Sequence, residues 1–239
     1  MSNISTMAGR ELGAYFLSPI AYAVTAVYLF STGLVFSLGT FQNGAESSLR
    51  SLFEFWIVLI LVFVLPMLTM RLLSDELRSG TMESLLTAPV SETQIVLGKF
   101  FGAFAFFLIL LATLLIYPLI LSQYGPLDVR LLLCNFLGLV LLGALYIAVG
   151  LFFSATTKHQ IVAVLLSFAL LALVTFASEG LAQQVEGWLR ALMQHLSIRT
   201  HFAEFVRGLL DVNHVVFFLT TTLLFLFLTV KRVEMRRWQ

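Results

Sequence analysis

Phe100–Leu127, FFGAFAFFLILLATLLIYPLILSQYGPL, runs for 28 residues without one charged side chain. A bilayer core takes about 20 helical residues, so this stretch can cross a membrane. Lipid offers the backbone no hydrogen-bond partners, and the run lacks the alternation of a barrel strand, so the crossing must be helical. Working outward, four more charge-free gaps, Leu12–Ala45, Leu131–Thr157, His159–Ser178 and Val212–Val230, hold 34, 27, 20 and 19 residues. A sixth, Phe55–Met70, holds 16, but a helix there can extend outward past Glu54 and inward through Leu72 and Leu73. The expected fold is an all-α membrane protein of six transmembrane helices in a single domain over 1–239, with spans near 19–40, 53–73, 99–123, 131–155, 159–178 and 212–231.

Composition agrees. Of 239 residues, 59% are hydrophobic and 11% charged, against about 25% charge in a soluble domain. A net charge of +1 offers no basic surface for holding nucleic acid by counterion release. One cysteine, Cys134, makes neither an internal disulfide nor a multi-thiolate metal site. Met1 to Ser5 carries no basic residue and the first apolar run exceeds a signal-peptide core, so the first span is expected to stay in the protein.

With both termini in the cytoplasm, Arg10, Arg71, Arg78, Lys99, Lys158, Lys231, Arg232, Arg236 and Arg237 lie inside and Arg50, Arg130, Arg190, Arg199 and Arg207 outside. The positive-inside rule favours that orientation. Before the first span, Ile4, Met7, Ala8, Leu12, Tyr15 and Phe16 recur at helical steps, with Arg10 and Glu11 assigned elsewhere on the wheel, and Ser18-Pro19 interrupts the run. This predicts an interfacial helix, with a frayed tail as the alternative.

Seven of the 27 charged residues crowd into Arg71–Lys99. Gly80 should end the helix leaving the membrane. Met82, Leu85 and Leu86 then form one apolar stripe that Ala88-Pro89 stops, while Ser91 with Gln94 has the form of a capping box opening the next helix. Composition leaves a short cytosolic helix and a solvated loop equally open. On the other side, one amphipathic face runs from Leu181 to Leu196, and Phe202, Phe205, Val206 and Leu209 form a second; both predict short external helices that dip into the leaflet or cap the bundle.

Catalytic chemistry is not found. Gly98-Lys99 is followed by Phe100 and has Thr93 where a phosphate loop needs glycine. His159, His195, His201 and His214 show no ligand spacing and read as interfacial anchors, so no metal site is expected. The six charge-free gaps hold no carboxylate, whereas ion-coupled carriers place ionisable groups inside the bilayer. Energy must then enter from outside the membrane, with Arg71–Lys99 as the receiver. Gly98-x-x-x-Gly102 and the Ala144/Ala148 pair read as close helix packing.

Leu68-Thr-Met-Arg71, Asp75-Glu76, Arg78-Ser-Gly-Thr81, Glu83-Ser-Leu-Leu-Thr-Ala-Pro-Val90 and Ile95-Val-Leu-Gly-Lys99 together resemble the permease subunit of ABC type 2 exporters. Glu11-Leu12, Ser18-Pro19-Ile-Ala-Tyr22, His201-Phe202 and Arg207-Gly208-Leu-Leu-Asp211 extend the similarity, closest to the gliding-motility-associated (GldF-like) branch. The resemblance implies an amphipathic elbow helix, six spans, a cytosolic coupling helix between spans two and three, and re-entrant helices between spans five and six. It further implies a bacterial inner-membrane exporter in which two permease chains, copies or paralogues, join a separate ABC ATPase dimer that binds Mg-ATP. This chain itself would hold no cofactor and catalyse nothing. Carried over, Gly80, Thr81, Met82, Glu83, Leu85 and Leu86 belong to the coupling helix, with Met82, Leu85 and Leu86 its anchors, and Asp75, Glu76 and Arg78 lie on its approach. The uncharged spans suit a lipidic or amphipathic cargo. Two alternatives stay open: a subunit passing ATP-driven motion to an auxiliary periplasmic or envelope protein, and a membrane enzyme acting on lipid.

Overall fold

A computed structural model describes residues 3–41, 52–81, 90–123, 128–177, 187–188, 195 and 197–236. All regular structure among them is helical: α1 (Asn3–Phe16), α2 (Pro19–Phe41), a π-helical turn (Leu52–Trp56), α3 (Ile57–Thr69), α4 (Arg71–Ser79), α5 (Glu92–Thr113), α6 (Ile116–Leu121), α7 (Val129–Thr156), α8 (Gln160–Ala172), a second π-helical turn (Leu173–Ala177), α9 (Ile198–Val206) and α10 (Val212–Arg236).

The helix starts are written in the sequence. Pro19 opens α2, where its missing N–H costs nothing, and Ser18 Oγ accepts from the Ala21 amide at 3.4 Å. Ser91 and Gln94 close a reciprocal capping box, each side chain accepting from the other's backbone N–H at 3.3 Å. Asp128 caps α7 through the amides of Arg130 and Leu131, and Ser197 caps α9 through Thr200. Gly80, at φ +74°, ends α4 in a conformation that side chains with a Cβ seldom adopt.

Five helical units are long and apolar enough to cross a membrane: Pro19–Leu38, Ile57–Ser79, Glu92–Leu121, Val129–Thr156 and Val212–Arg236. The expected sixth, Gln160–Phe176, is an apolar helix of 17 residues that falls short of that length. It nevertheless accompanies its neighbour throughout. Gln160 Nε2 donates to Asp75 at one end, Phe168 meets Phe63 midway at 4.5 Å, and Phe176 meets Phe55 at the far end at 5.8 Å. Past the expected second span, 53–73, the helix runs on through Met70 to Ser79 and ends at Gly80, the expected stop.

The middle of the bundle is α3 with α4, and α7, each unit 67% buried along its span, against 28% for α2 and 22% for α10. Apolar side chains left outside, such as Phe30, Leu165, Leu223 and Phe227, form the face a membrane would cover. Gly150 brings the two central units together, because a Cβ there would lie 2.0 Å from Thr69 Oγ1. The far end is closed by α9, whose Phe202, Phe205 and Val206 are buried. Leu209, assigned by periodicity to the same face, lies beyond the helix and is 57% exposed. The first amphipathic external run, 181–196, lies outside the described residues except at Gly187, Trp188 and His195.

Candidate functional site: a charged joint between three helices

The segment that carries most charge also extends a spanning helix past its apolar run. α4 places Leu72, Leu73 and Leu77 inward, and Glu76 shares that inward side, three and four residues from them. Here it meets Lys99, whose Nζ lies 2.8 Å from Glu76 Oε1 and 2.9 Å from Glu11 Oε1. The lysine side chain is 2% exposed and both glutamates are 15%. One ammonium thus bridges α1, α4 and α5. Desolvating a lysine is costly, and these two short charge-assisted contacts offset the cost only while both carboxylates stay in place.

Glu11 reaches this position because α1 packs on α5 far more closely than an interfacial helix must. A Cβ on Gly98 would sit 2.6 Å from Met7 Cβ, and one on Gly102 would sit 2.6 Å from Glu11 Cβ, so the G-x-x-x-G of α5 is the bed of α1. Placing Glu11 away from the apolar stripe was the error in the wheel: it stands four residues from both Met7 and Tyr15, in the middle of that stripe. Tyr15 continues the seam, donating to the Leu68 carbonyl at 2.9 Å and stacking on Phe106 at 4.8 Å.

A second device lies one turn earlier. The hydroxyl of Ser154, on α7, accepts from the amides of Leu73 and Ser74 at 3.0 and 3.1 Å and donates to the Met70 carbonyl at 2.8 Å. It therefore ties the first turn of α4, where α4 follows α3, to α7. Asp75, accepting from Gln160, ties α4 to α8.

The predicted residues divide accordingly. Asp75 and Glu76 are drawn into the joint. Arg78 and Gly80 lie on the exposed tip, as does Thr81, whose hydroxyl is 2.8 Å from that of Ser79. Met82, Glu83, Leu85 and Leu86 fall outside the described residues. Sequence reading missed Lys99, Glu11, Gln160 and Ser154 as partners. For the first two a signal existed, since Lys99 follows the first glycine of the motif that seats α1 and Glu11 lies on the seated stripe.

At the opposite end the histidines are not isolated anchors. His201 Nε2 lies 3.1 Å from the His195 carbonyl, which can only accept, so Nε2 carries the proton. Its Nδ1 is then an acceptor for His214 Nδ1–H, 2.6 Å away, while the ring stacks on Phe217 at 3.9 Å. This pair ties α9 to α10 with His201 neutral and accepting. Burial pushes its pKa below the ordinary 6.5, and the neighbouring His214 and His195 push the same way against the bond to the His195 carbonyl. The other charged groups nearby in sequence are Asp211 before α10, and Arg199 and the Glu204–Arg207 pair on α9. The unfolded imidazole binds its proton first as pH falls, so stability is complete above about pH 6.5 and drains away below it. Acidifying the purified protein from about pH 7.5 to about pH 5 should lower its melting temperature. His201→Phe, which keeps the stack, should flatten the slope; parallel curves would refute the pairing. Among the described residues no group of three or more His, Cys, Asp or Glu side chains is arranged to hold a metal.

Against known families, the chain matches the ABC-2 family transporter protein family over residues 17–230. It belongs to that family. The match runs from the start of α2 into the last turns of α10 and leaves out α1, so Glu76 and Lys99 of the joint, though not Glu11, lie within the membrane component of an ABC exporter, a multi-pass protein whose kind works with an ABC ATPase and is not itself catalytic. No curated protein matches this ABC-2 chain.

Proposed function

We propose that this ABC-2 chain is the permease of an ATP-driven exporter in a bacterial inner membrane, with six spans, both termini in the cytosol and α8 as the shortest crossing. Residues 80–87 form the coupling helix on a separate ATPase dimer, which binds Mg-ATP, and a second copy or paralogue completes the path. The observation that carries this reading is the joint. A load applied at Gly80 passes into α4, and α4 is tied to α1 and α5 through Lys99, to α7 through Ser154 and to α8 through Gln160. Movement of an ATPase can therefore shift the central unit as one piece and bias alternating conformations. The close seating of α1 on Gly98 and Gly102 supports reading it as the elbow helix of the resemblance. The GldF-like branch and a lipidic or amphipathic cargo remain parts of this proposal, supported by the quoted motifs and the bare spans.

One preparation tests it. In sealed vesicles of known sidedness carrying the co-expressed ATPase, and with Cys134 replaced, a cysteine at Ser91 should be labelled only from the cytosolic side and one at Gln183 only from the other. ATP hydrolysis should depend on the permease and respond to lipids or amphiphiles. Labelling of both positions from one side, or hydrolysis indifferent to the permease, would overturn the proposal.

A further inference from the structure

α7 and α10 pack on one another and finish together at the end of the bundle that carries the joint. Ser154, which holds α4, is two residues from Thr156, and Arg236 Nη2 donates to the Thr156 carbonyl at 3.2 Å. Leu226, Thr229 and Val233 are buried along α10; Arg232 stands three residues after Thr229 and Arg236 three after Val233, so both arginines turn partly inward. The Nε of each is buried and has no hydrogen-bond partner. The terminal nitrogens of Arg232 and Nη1 of Arg236 also lack partners among the described residues but stay accessible. Two guanidinium groups one turn apart on a helix repel, and the charge that weighs on Arg236 is that of Arg232. No carboxylate among the described residues is paired with either. Glu234, on another side of α10, is taken by Lys231 at 2.7 Å, and the first charge after α7 is another cation, Lys158.

The level of the pair says what can meet it. Phe227, Leu228 and Met235 of α10 are all exposed, so the apolar outer face of the helix reaches the turn that carries the arginines. That puts their accessible nitrogens where acyl chains give way to headgroups, the depth of lipid phosphate, and basic groups between membrane helices at that depth take lipid headgroups. We infer that Arg232 and Arg236 hold the phosphodiester of one anionic phospholipid at the junction of α7 and α10. Guanidinium groups match phosphate oxygens through paired N–H donors, and a headgroup with net negative charge offsets the repulsion between the two. Phosphatidylglycerol meets both requirements. Phosphatidylcholine carries the same phosphate, but its own cation would be brought up to two others, so it should be discriminated against.

The inference needs neither the ATPase nor the coupling helix, so it can hold or fail apart from the function proposed above. The full chain is extracted from membranes of equal phosphatidylglycerol and phosphatidylcholine, and the lipid it retains is measured by native mass spectrometry. Phosphatidylglycerol should be enriched about tenfold, the factor that one charge-assisted hydrogen bond supplies. Arg232→Gln is the decisive variant, because Arg232 makes no hydrogen bond or ion pair among the described residues that the fold would lose. It should remove the enrichment. In phosphatidylcholine alone its melting temperature should equal or exceed that of the unaltered chain, since one of two repelling charges is gone. Added phosphatidylglycerol should raise the melting temperature of the unaltered chain and not that of the variant; this lipid-dependent increment decides even where the two baselines differ. Arg236→Gln should also lose the enrichment, and Arg130→Gln, at the other end of α7, should keep it. Equal retention of the two lipids, or enrichment that survives Arg232→Gln, would overturn the assignment. Inorganic phosphate that stabilises the chain as much as phosphatidylglycerol at equal concentration would make this a site for a free anion, and loss of the co-purified ATPase from Arg232→Gln in phosphatidylcholine alone would give the pair to that protein. Either result would overturn the lipid assignment.

Discussion

Lys99→Met should destabilise the folded chain by about 3–5 kcal/mol, the cost of removing one partner from a buried ion pair. The methionine fits the volume, so the loss is electrostatic: Glu11 and Glu76 would face each other in a largely buried site, each having lost its short contact to the lysine. Glu11→Gln or Glu76→Gln should cost less, because each leaves the lysine with one carboxylate. The triple change Lys99→Met, Glu11→Gln, Glu76→Gln should recover most of the stability, since uncharged groups of similar shape need no compensation. Such non-additivity is the signature of groups acting as a unit. Resistance to a denaturing detergent, read as the folded fraction of each variant in mixed micelles, measures all five proteins on one scale. A Lys99→Met loss below about 1 kcal/mol would place the pair with exposed ion pairs, and the joint would no longer be a structural tie.

How far the sequence carries the reader depends on the range of the interaction. Charge gaps located the apolar helices because the membrane imposes one length on each, and the caps at Ser18, Ser91 and Asp128 were readable because capping is local to a few residues. Gly80 and the Ser91–Gln94 box fall in the same class. What stayed hidden is how polar residues are satisfied by distant partners. α4 carries Asp75 and Glu76 toward Gly80 because Gln160 and Lys99, 85 and 23 positions away, satisfy them. No periodicity in residues 68–80 announces that Ser154 bonds there, since a serine on an apolar helix reads the same whether it bonds its own carbonyl or another helix's amides. The histidine pair was hidden for a similar reason: a spacing of 13 residues matches no helical ligand pattern, and only the chain reversal after α9 brings the rings together.

Leu85→Asp should abolish recovery of the ATPase with the permease while leaving the membrane bundle intact. On the proposed coupling helix, beyond the helix end at Gly80, Met82, Leu85 and Leu86 would bury their side chains in a cleft of the ATPase. An aspartate in such a cleft would be a buried charge without a partner, costing several kcal/mol of association, or at least a hundredfold in affinity. Glu83 lies about 100 degrees round a helix from Met82 and would meet the rim, where Glu83→Gln should cost no more than about 1 kcal/mol. The measurement is co-purification of the ATPase with each variant from detergent, with membrane insertion and the Lys99-dependent stability checked in parallel. Because Gly80 ends α4 before the stripe begins, damage at Leu85 should not reach Glu76, so stability and assembly should separate cleanly. Undiminished ATPase recovery with Leu85→Asp would show that docking occurs elsewhere, and the exposed tip from Arg78 to Thr81, which the joint holds directly, would become the next surface to test.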